Sequence, residues 1–300
     1  MSTEVEIVEV SPRDGLQNEP GFFPTADKLE LIARAIAAGS KRIEVASFVH
    51  PARVPQMADA EAVCAGLPRR DASDVTYIGL VLNKRGALRA LETQVHELGA
   101  VISASDGFGT RNQGRTSAET LADAIEIIRL AREHGRTAQA TISVAFGCPF
   151  DGEVAPSRVA ELARQVAVAG PREIAIADTI GVGVPNQVKR VMVAVKEAAP
   201  GLPIRLHFHD TRNTAIANVW AGAESGASTI DASIAGIGGC PFAPNATGNV
   251  ATEDVQYMLQ RSGIETGLML TGLIETARWL STKMGRPLPG LVSRAGGFPR

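Results

Sequence analysis

Residues 5–20 read VEIVEVSPRDGLQNEP, and the residues after the apolar run decide between two architectures. Residues 5–10 have the make-up of a short strand. An open doubly wound sheet that binds a dinucleotide would continue with GxGxxG, glycines that let the backbone approach a pyrophosphate. The continuation here is SPRDGLQNEP (11–20), with an arginine, an aspartate and a glutamine in place of that motif. Downstream, one beat repeats: a short apolar run, an amphipathic helix, another run. Strand candidates are 5–10, 42–47, 76–82, 100–105, 137–146, 173–178, 203–210 and 229–236. Most are nearly continuous apolar runs, as parallel strands covered on both sides require. Helical patterns at 25–39, 117–135, 156–170 and 185–201 open on Thr, Ser or Pro and close at Gly. Ser117, with Glu119 and Thr120 nearby, reads as a capped start. Further helices are expected at 252–261 and 267–284. Strand-helix units of roughly 30 to 35 residues, repeated through roughly 250 to 260, predict a (β/α)8 TIM barrel. No linker interrupts them, so we expect one catalytic domain over 1–300, with 265–300 as a C-terminal helical extension.

Composition narrows the function classes. Hydrophobic residues make up 45%, charged residues 21% and aromatics 4%, and the formal net charge is -2. The absence of a basic excess and the shortage of stacking side chains argue against nucleic acid. No apolar run approaches the length of a membrane span. The three cysteines, Cys64, Cys148 and Cys240, are few and far apart. They predict no disulfide framework and a reducing, cytoplasmic setting. The acidic start MSTEVEIVEV has neither the basic nor the long apolar region of a leader, so none is expected.

In such a barrel, chemistry sits at the C-terminal ends of the strands. Polar residues collect there: Arg13, Asp14 and Gln17 after strand one, Glu44 in strand two, Asp106 after strand four, and Asp178 with Thr179 at strand six. His207, His209 and Asp210 follow in LHFHDT (206–211), and Cys240 and Asn249 in AGIGGCPFAPNATGN (235–249). Each has a plain structural alternative. Glu44 could pair with a rim arginine, Asp178 could cap the turn after it, and Cys148 could fill apolar space. His50, His96 and His134 look solvated. The set as a whole suits a divalent cation. Asp14 and two histidines that share one strand face would be brought side by side by closure, with an amide oxygen from Asn249. That oxygen-nitrogen mixture fits Mg²⁺ or Mn²⁺ better than Zn²⁺. Cys240 is too soft for this ligand set. The glycines around it suit a movable flap over the mouth, whereas a phosphate loop would need GK[ST].

Taken together, VEVSPRDGLQNEP, IEVASFVHPARVPQM, FGCPFDGEV, DTIGVG, LHFHDT and GIGGCPFAPNATGNVATEDVQYML span residues 8 to 259. They resemble the 3-hydroxy-3-methylglutaryl-CoA lyases, within a wider group of metal-dependent TIM-barrel lyases and Claisen-type synthases. The resemblance implies metal ligands at Asp14, His207, His209 and Asn249, with Arg13 facing the thioester carbonyl and Cys240 acting in proton transfer. It implies supporting roles for Gln17, Glu44 and Asp178. The implied reaction is retro-Claisen cleavage of a 3-hydroxyacyl-CoA in leucine breakdown, with Asp14 or His207 as base. A homodimer or larger assembly is expected from the same resemblance.

The chain also departs from that family pattern. Arg212-Asn213 replaces Tyr-Gly after HxHDT, Ala177 replaces Gly before DTIG, and Ser105-Asp106-Gly107-Phe108 stands where Ser-Glu precedes Phe. A lysine near the CoA-contacting end is missing. These changes spare the ligand set but leave the acyl group open. Arg212 could bind a differently placed carboxylate, as in a citramalyl- or isohexenylglutaryl-CoA lyase. A condensing synthase is disfavoured by the short stretch after 265, and a non-catalytic binding protein by the intact ligand set.

Overall fold

Glu6–Glu9 (β1) pairs in parallel with Thr229–Ala232 (β8), and this pairing closes the sheet on itself. The computed structural model describes residues 3–69, 74–239 and 248–299. Between these two strands run Arg42–Ser47 (β2), Thr76–Val81 (β3), Glu97–Ser103 (β4), Thr137–Ser143 (β5), Ile174–Asp178 (β6) and Ile204–Phe208 (β7). All pairings are parallel and follow sequence order, β1 to β8, around a closed barrel. The helices are Thr25–Ala37 (α1), Ala60–Ala65 (α2), Lys84–Leu91 (α3), Asp106–Gln113 (α4), Ser117–Glu133 (α5), Pro156–Ala167 (α6), Pro185–Ala198 (α7) and Ala215–Glu224 (α8). Thr252–Arg261 (α9), Leu270–Met284 (α10) and Val292–Ala295 (α11) complete them. The (β/α)8 expectation is met. Among the described residues no helix is long and apolar enough to cross a membrane.

Several boundaries differ from the sequence reading for physical reasons. β4 begins at Glu97, three residues early, because Glu97 is buried in an ion pair with Arg42 inside the barrel. β5 stops at Ser143, since Val144 turns to a φ of +50° and its N–H donates to Thr179 Oγ1. β8 stops at Ala232, before a 3-10 turn, Ile234–Gly236, in which Ala235 has a φ of +65°. The N-cap of α5 is Thr116, not Ser117. Thr116 and Glu119 form a reciprocal capping box, and the Ser117 hydroxyl instead donates to the Ser103 carbonyl. β1 and β7 are not side by side, because β8 lies between them.

The main apolar core fills the layer between sheet and helices, while Val8, Val10 and Ile78 form a small separate cluster. Much of the barrel interior is polar. Arg42, Glu97, Glu173 and Arg205 are all nearly fully buried. Arg42 bridges Glu97 and Glu173, and Arg205 continues upward to Asp231. Glu44 lies above this layer, and a β-bulge between Glu44 and Ala46 shifts the register of β2. Bulges re-aim side chains and favour active-site rims.

Candidate active site

The mouth of the barrel opens into a cavity of about 480 Å³. Its lining includes Arg13, Asp14, Gln17, Glu44, His207 and His209. Arg13 and Asp14 are consecutive, yet both face it. The chain leaves β1 through a π-type turn, Ser11–Gly15, closed by Gly15 N–H to the Val10 carbonyl at 3.1 Å. Single π-type turns recur at functional sites. Gly15 is required there: a Cβ would lie 2.8 Å from both Ile237 Cγ1 and Ser233 Oγ.

β7 supplies the imidazoles. Arg205 and His207 alternate along one strand face and His209 follows just past its end, so all three side chains reach the interior. His207 Nε2 lies 3.8 Å and His209 Nε2 3.7 Å from Asp14 Oδ2. The two rings are 5.1 Å apart. The ligand atoms of Asp14, His207 and His209 all fall within 4.8 Å of one another. Asn249 joins them across the last loop, its Nδ2 donating to Asp14 Oδ2 at 2.8 Å and to the Ile237 carbonyl at 3.2 Å. Gly238, at a φ of +111°, makes room for that amide, since a Cβ would sit 2.6 Å from Asn249 Nδ2.

The donor set fits a divalent cation. Asn249 Oδ1 is buried with no hydrogen-bond partner among the described residues, and such an atom is uncommon unless something else satisfies it. Burial and the neighbouring His207 hold His209 down to a pKa of about 4, so its ring is neutral at physiological pH, the form that coordinates. Burial alone would raise Asp14, but the Arg13 guanidinium and the two histidines outweigh it and keep the carboxylate ionised. Burial likewise opposes protonation of His207, yet the hydrogen bond to Asp231 raises its pKa.

Asp231, on β8, escaped the sequence reading. Its Oδ2 lies 3.0 Å from His207 Nδ1, the carboxylate-histidine contact that orients an imidazole behind a metal. Arg13 is held from both sides: Nη1 is 2.5 Å from Asp14 Oδ1, and Nε donates to Glu44. Gln17 lines the cavity with its Oε1 buried and without a hydrogen-bond partner among the described residues. His50, read as solvated, sits at the exposed rim of the cavity.

Other candidates lie apart. Asp178 is buried but turned away from the cavity. Its carboxylate accepts the N–H groups of Val182 and Gly183, both at 2.9 Å, and its own carbonyl accepts from His209 N–H. Asp106 accepts from Ser117 N–H at the start of α5. Arg212, read as a candidate for a substrate carboxylate, is not among the residues that line the cavity. It is exposed, and its Nη1 donates to the carbonyls of Ile180 and Gly181, which have no backbone partners among the described residues. Cys148 is buried, its sulfur accepting from Phe150 and Asp151 N–H. Cys240 lies outside the described residues.

Comparison with known proteins agrees with this fold. The HMGL-like family model matches residues 4–280. The (R)-citramalyl-CoA lyase of Chloroflexus aurantiacus is 44% identical, over 97% of this chain and 95% of that protein. The 3-hydroxy-3-isohexenylglutaryl-CoA/hydroxymethylglutaryl-CoA lyase of Pseudomonas aeruginosa is 41% identical over 94% of each. An Acinetobacter baumannii HMG-CoA lyase, solved with coenzyme A and 3-methylmalate, superposes with a TM-score of 0.93 at 38% identity, over 99% of this chain and 98% of that one. With the family model matched over nearly the whole chain and with sequence and barrel both similar to these lyases, the chain belongs to the HMGL-like family.

Proposed function

We propose that the chain is a carbon-carbon lyase that cleaves 3-hydroxy-3-methylglutaryl-CoA to acetyl-CoA and acetoacetate. The observation that carries this reading is the meeting of Arg13 with Asp14, His207 and His209 at one cavity mouth. Asp14, His207, His209 and Asn249 would hold Mg²⁺ or Mn²⁺, which supplies Lewis acidity toward the 3-hydroxyl and a neighbouring substrate oxygen. Asp14 or His207 takes the hydroxyl proton. The C2–C3 bond then breaks, C3 becomes the ketone carbon of acetoacetate, and the electron pair passes into the thioester as its enolate. Arg13, fixed by Glu44, donates to the enolate oxygen. Cys240 returns a proton to C2. Gln17 contributes to substrate binding, and Asp178 supports the site through the loop that its carboxylate holds. We read residues 1–300 as one catalytic domain that acts in the cytoplasm as a homodimer or larger assembly, in line with the family resemblance.

A second reading has its own support, because a relative 44% identical is a citramalyl-CoA lyase. That substrate carries its carboxylate directly on C3, so the same bond cleavage would release pyruvate. A panel of 3-hydroxyacyl-CoA thioesters, assayed with Mn²⁺ while following free keto acid, decides between them. Acetoacetate with the highest kcat/KM supports the first reading. Pyruvate formed faster, with little turnover of the methylglutaryl thioester, replaces it with the second.

A further inference from the structure

Arg205 has no role in the chemistry above, yet its guanidinium lies between the two halves of the site. It is 1% exposed on β7, one alternation below His207. Its Nε donates to Asp231 Oδ1. The other oxygen of that carboxylate, Oδ2, meets His207 Nδ1 at 3.0 Å. Its Nη2 lies 3.6 Å from Glu44 Oε2, and Glu44 Oε1 accepts from Arg13 Nε. Its Nη1 lies 3.6 Å from Glu173 Oε1, to which Arg42 Nη2 donates at 2.6 Å. Two short chains therefore start from one planar group: Arg205–Asp231–His207 and Arg205–Glu44–Arg13.

We propose that Arg205 is a positioning residue for the lyase reaction, fixing His207 through Asp231 and Arg13 through Glu44. The inference rests on the proposed lyase site. A guanidinium suits the task because its donors diverge at fixed angles, so one rigid plane can register two carboxylates. With Oδ1 of Asp231 held, Oδ2 is aimed at Nδ1 of His207, which leaves Nε2 facing Asp14. Neutralising buried carboxylates would not by itself require this placement, since Arg42 already does that for Glu97 and Glu173 lower in the barrel.

Arg205→Lys tests the fork while keeping the charge. The thermal midpoint, the Kd for Mn²⁺ and steady-state kinetics should be measured on the full chain. We expect a folded protein whose Mn²⁺ affinity falls about 10-fold and whose kcat falls about 10- to 100-fold, with KM within about 3-fold. Asp231→Asn should give a loss of Mn²⁺ affinity of similar size. The double variant should bind Mn²⁺ no more weakly than the weaker single variant, because both act through one chain of contacts. Wild-type Mn²⁺ affinity and kcat in Arg205→Lys would overturn the inference, as would Mn²⁺ losses that multiply in the double variant. If Arg205→Lys does not fold, Asp231→Asn and Glu44→Gln decide: unchanged Mn²⁺ affinity in the first together with unchanged kcat in the second rejects the proposal. Absence of both Mn²⁺ binding and thioester cleavage in the wild-type protein would instead sink the lyase reading, and this inference with it.

Discussion

Asp14 is held by three kinds of partner at once: a guanidinium, an amide and two imidazoles. As the one carboxylate facing both histidines among the described residues, it should dominate cation affinity. Asp14→Asn is expected to weaken Mn²⁺ binding at least about 100-fold by calorimetry, because the neutral amide removes the hard anionic ligand. Arg13→Met should lower kcat by about 10²- to 10³-fold with a smaller change in KM, as loss of an oxyanion donor does. An unchanged kcat would remove Arg13 from the mechanism. The residues of this cluster were legible in the sequence because an aspartate or histidine stands out in an apolar run. Asp231 and Arg205 stand in similar runs, yet their role is hidden there. Read as continuous apolar segments, PIRLHF and TIDAS conceal an alternation in which Arg205, His207, Thr229 and Asp231 all point inward. Arg212 misled in the opposite sense: its place beside HFHD is adjacency along the chain, and the turn carries its side chain elsewhere.

Among the elements, strand order followed from periodicity, whereas ends did not. Strand ends here are set by long-range partners, such as Arg42 for Glu97 and Thr179 for Val144, and no local window contains them. The cap of α5 is local, and Thr116→Ala should lower the unfolding free energy by about 1 kcal/mol in a denaturant titration. α9 carries a second element-scale test. Glu253, in its first turn, accepts from Ala235 N–H and is nearly fully buried. Burial pushes its pKa up to about 8. The folded protein thus holds a proton that the unfolded chain releases near the ordinary carboxylate value of about 4.3. Its contribution to stability is complete below that value and fades as pH rises through about 8. Glu253→Gln, neutral at every pH, should therefore lose less thermal stability than wild type between pH 6 and pH 9. Parallel decline of the two proteins would show that Glu253 does not titrate in this range.

At the level of the whole molecule, the barrel is lined by ion pairs from floor to mouth, Arg42 with Glu97 and Glu173, then Arg205 with Asp231. Removing one member of such a set strands charge in a dry interior. Arg42→Met should lower the unfolding free energy by about 3–5 kcal/mol, read as a shift in denaturant midpoint. A shift below about 1 kcal/mol would mean that water or protonation relieves Glu97 and Glu173. The closed architecture was readable from the spacing of the repeats, but this lining was not, because its members are far apart in sequence and meet only when β8 closes on β1.

That lining also has a thermal consequence. Ions are hydrated less favourably as temperature rises, so enclosing them becomes less costly on warming, while hydrophobic cohesion levels off. The midpoint of this barrel is thus tied to heat differently from its greasy outer layer: chilling, not heating, is the condition in which the inner arginines and carboxylates contribute least.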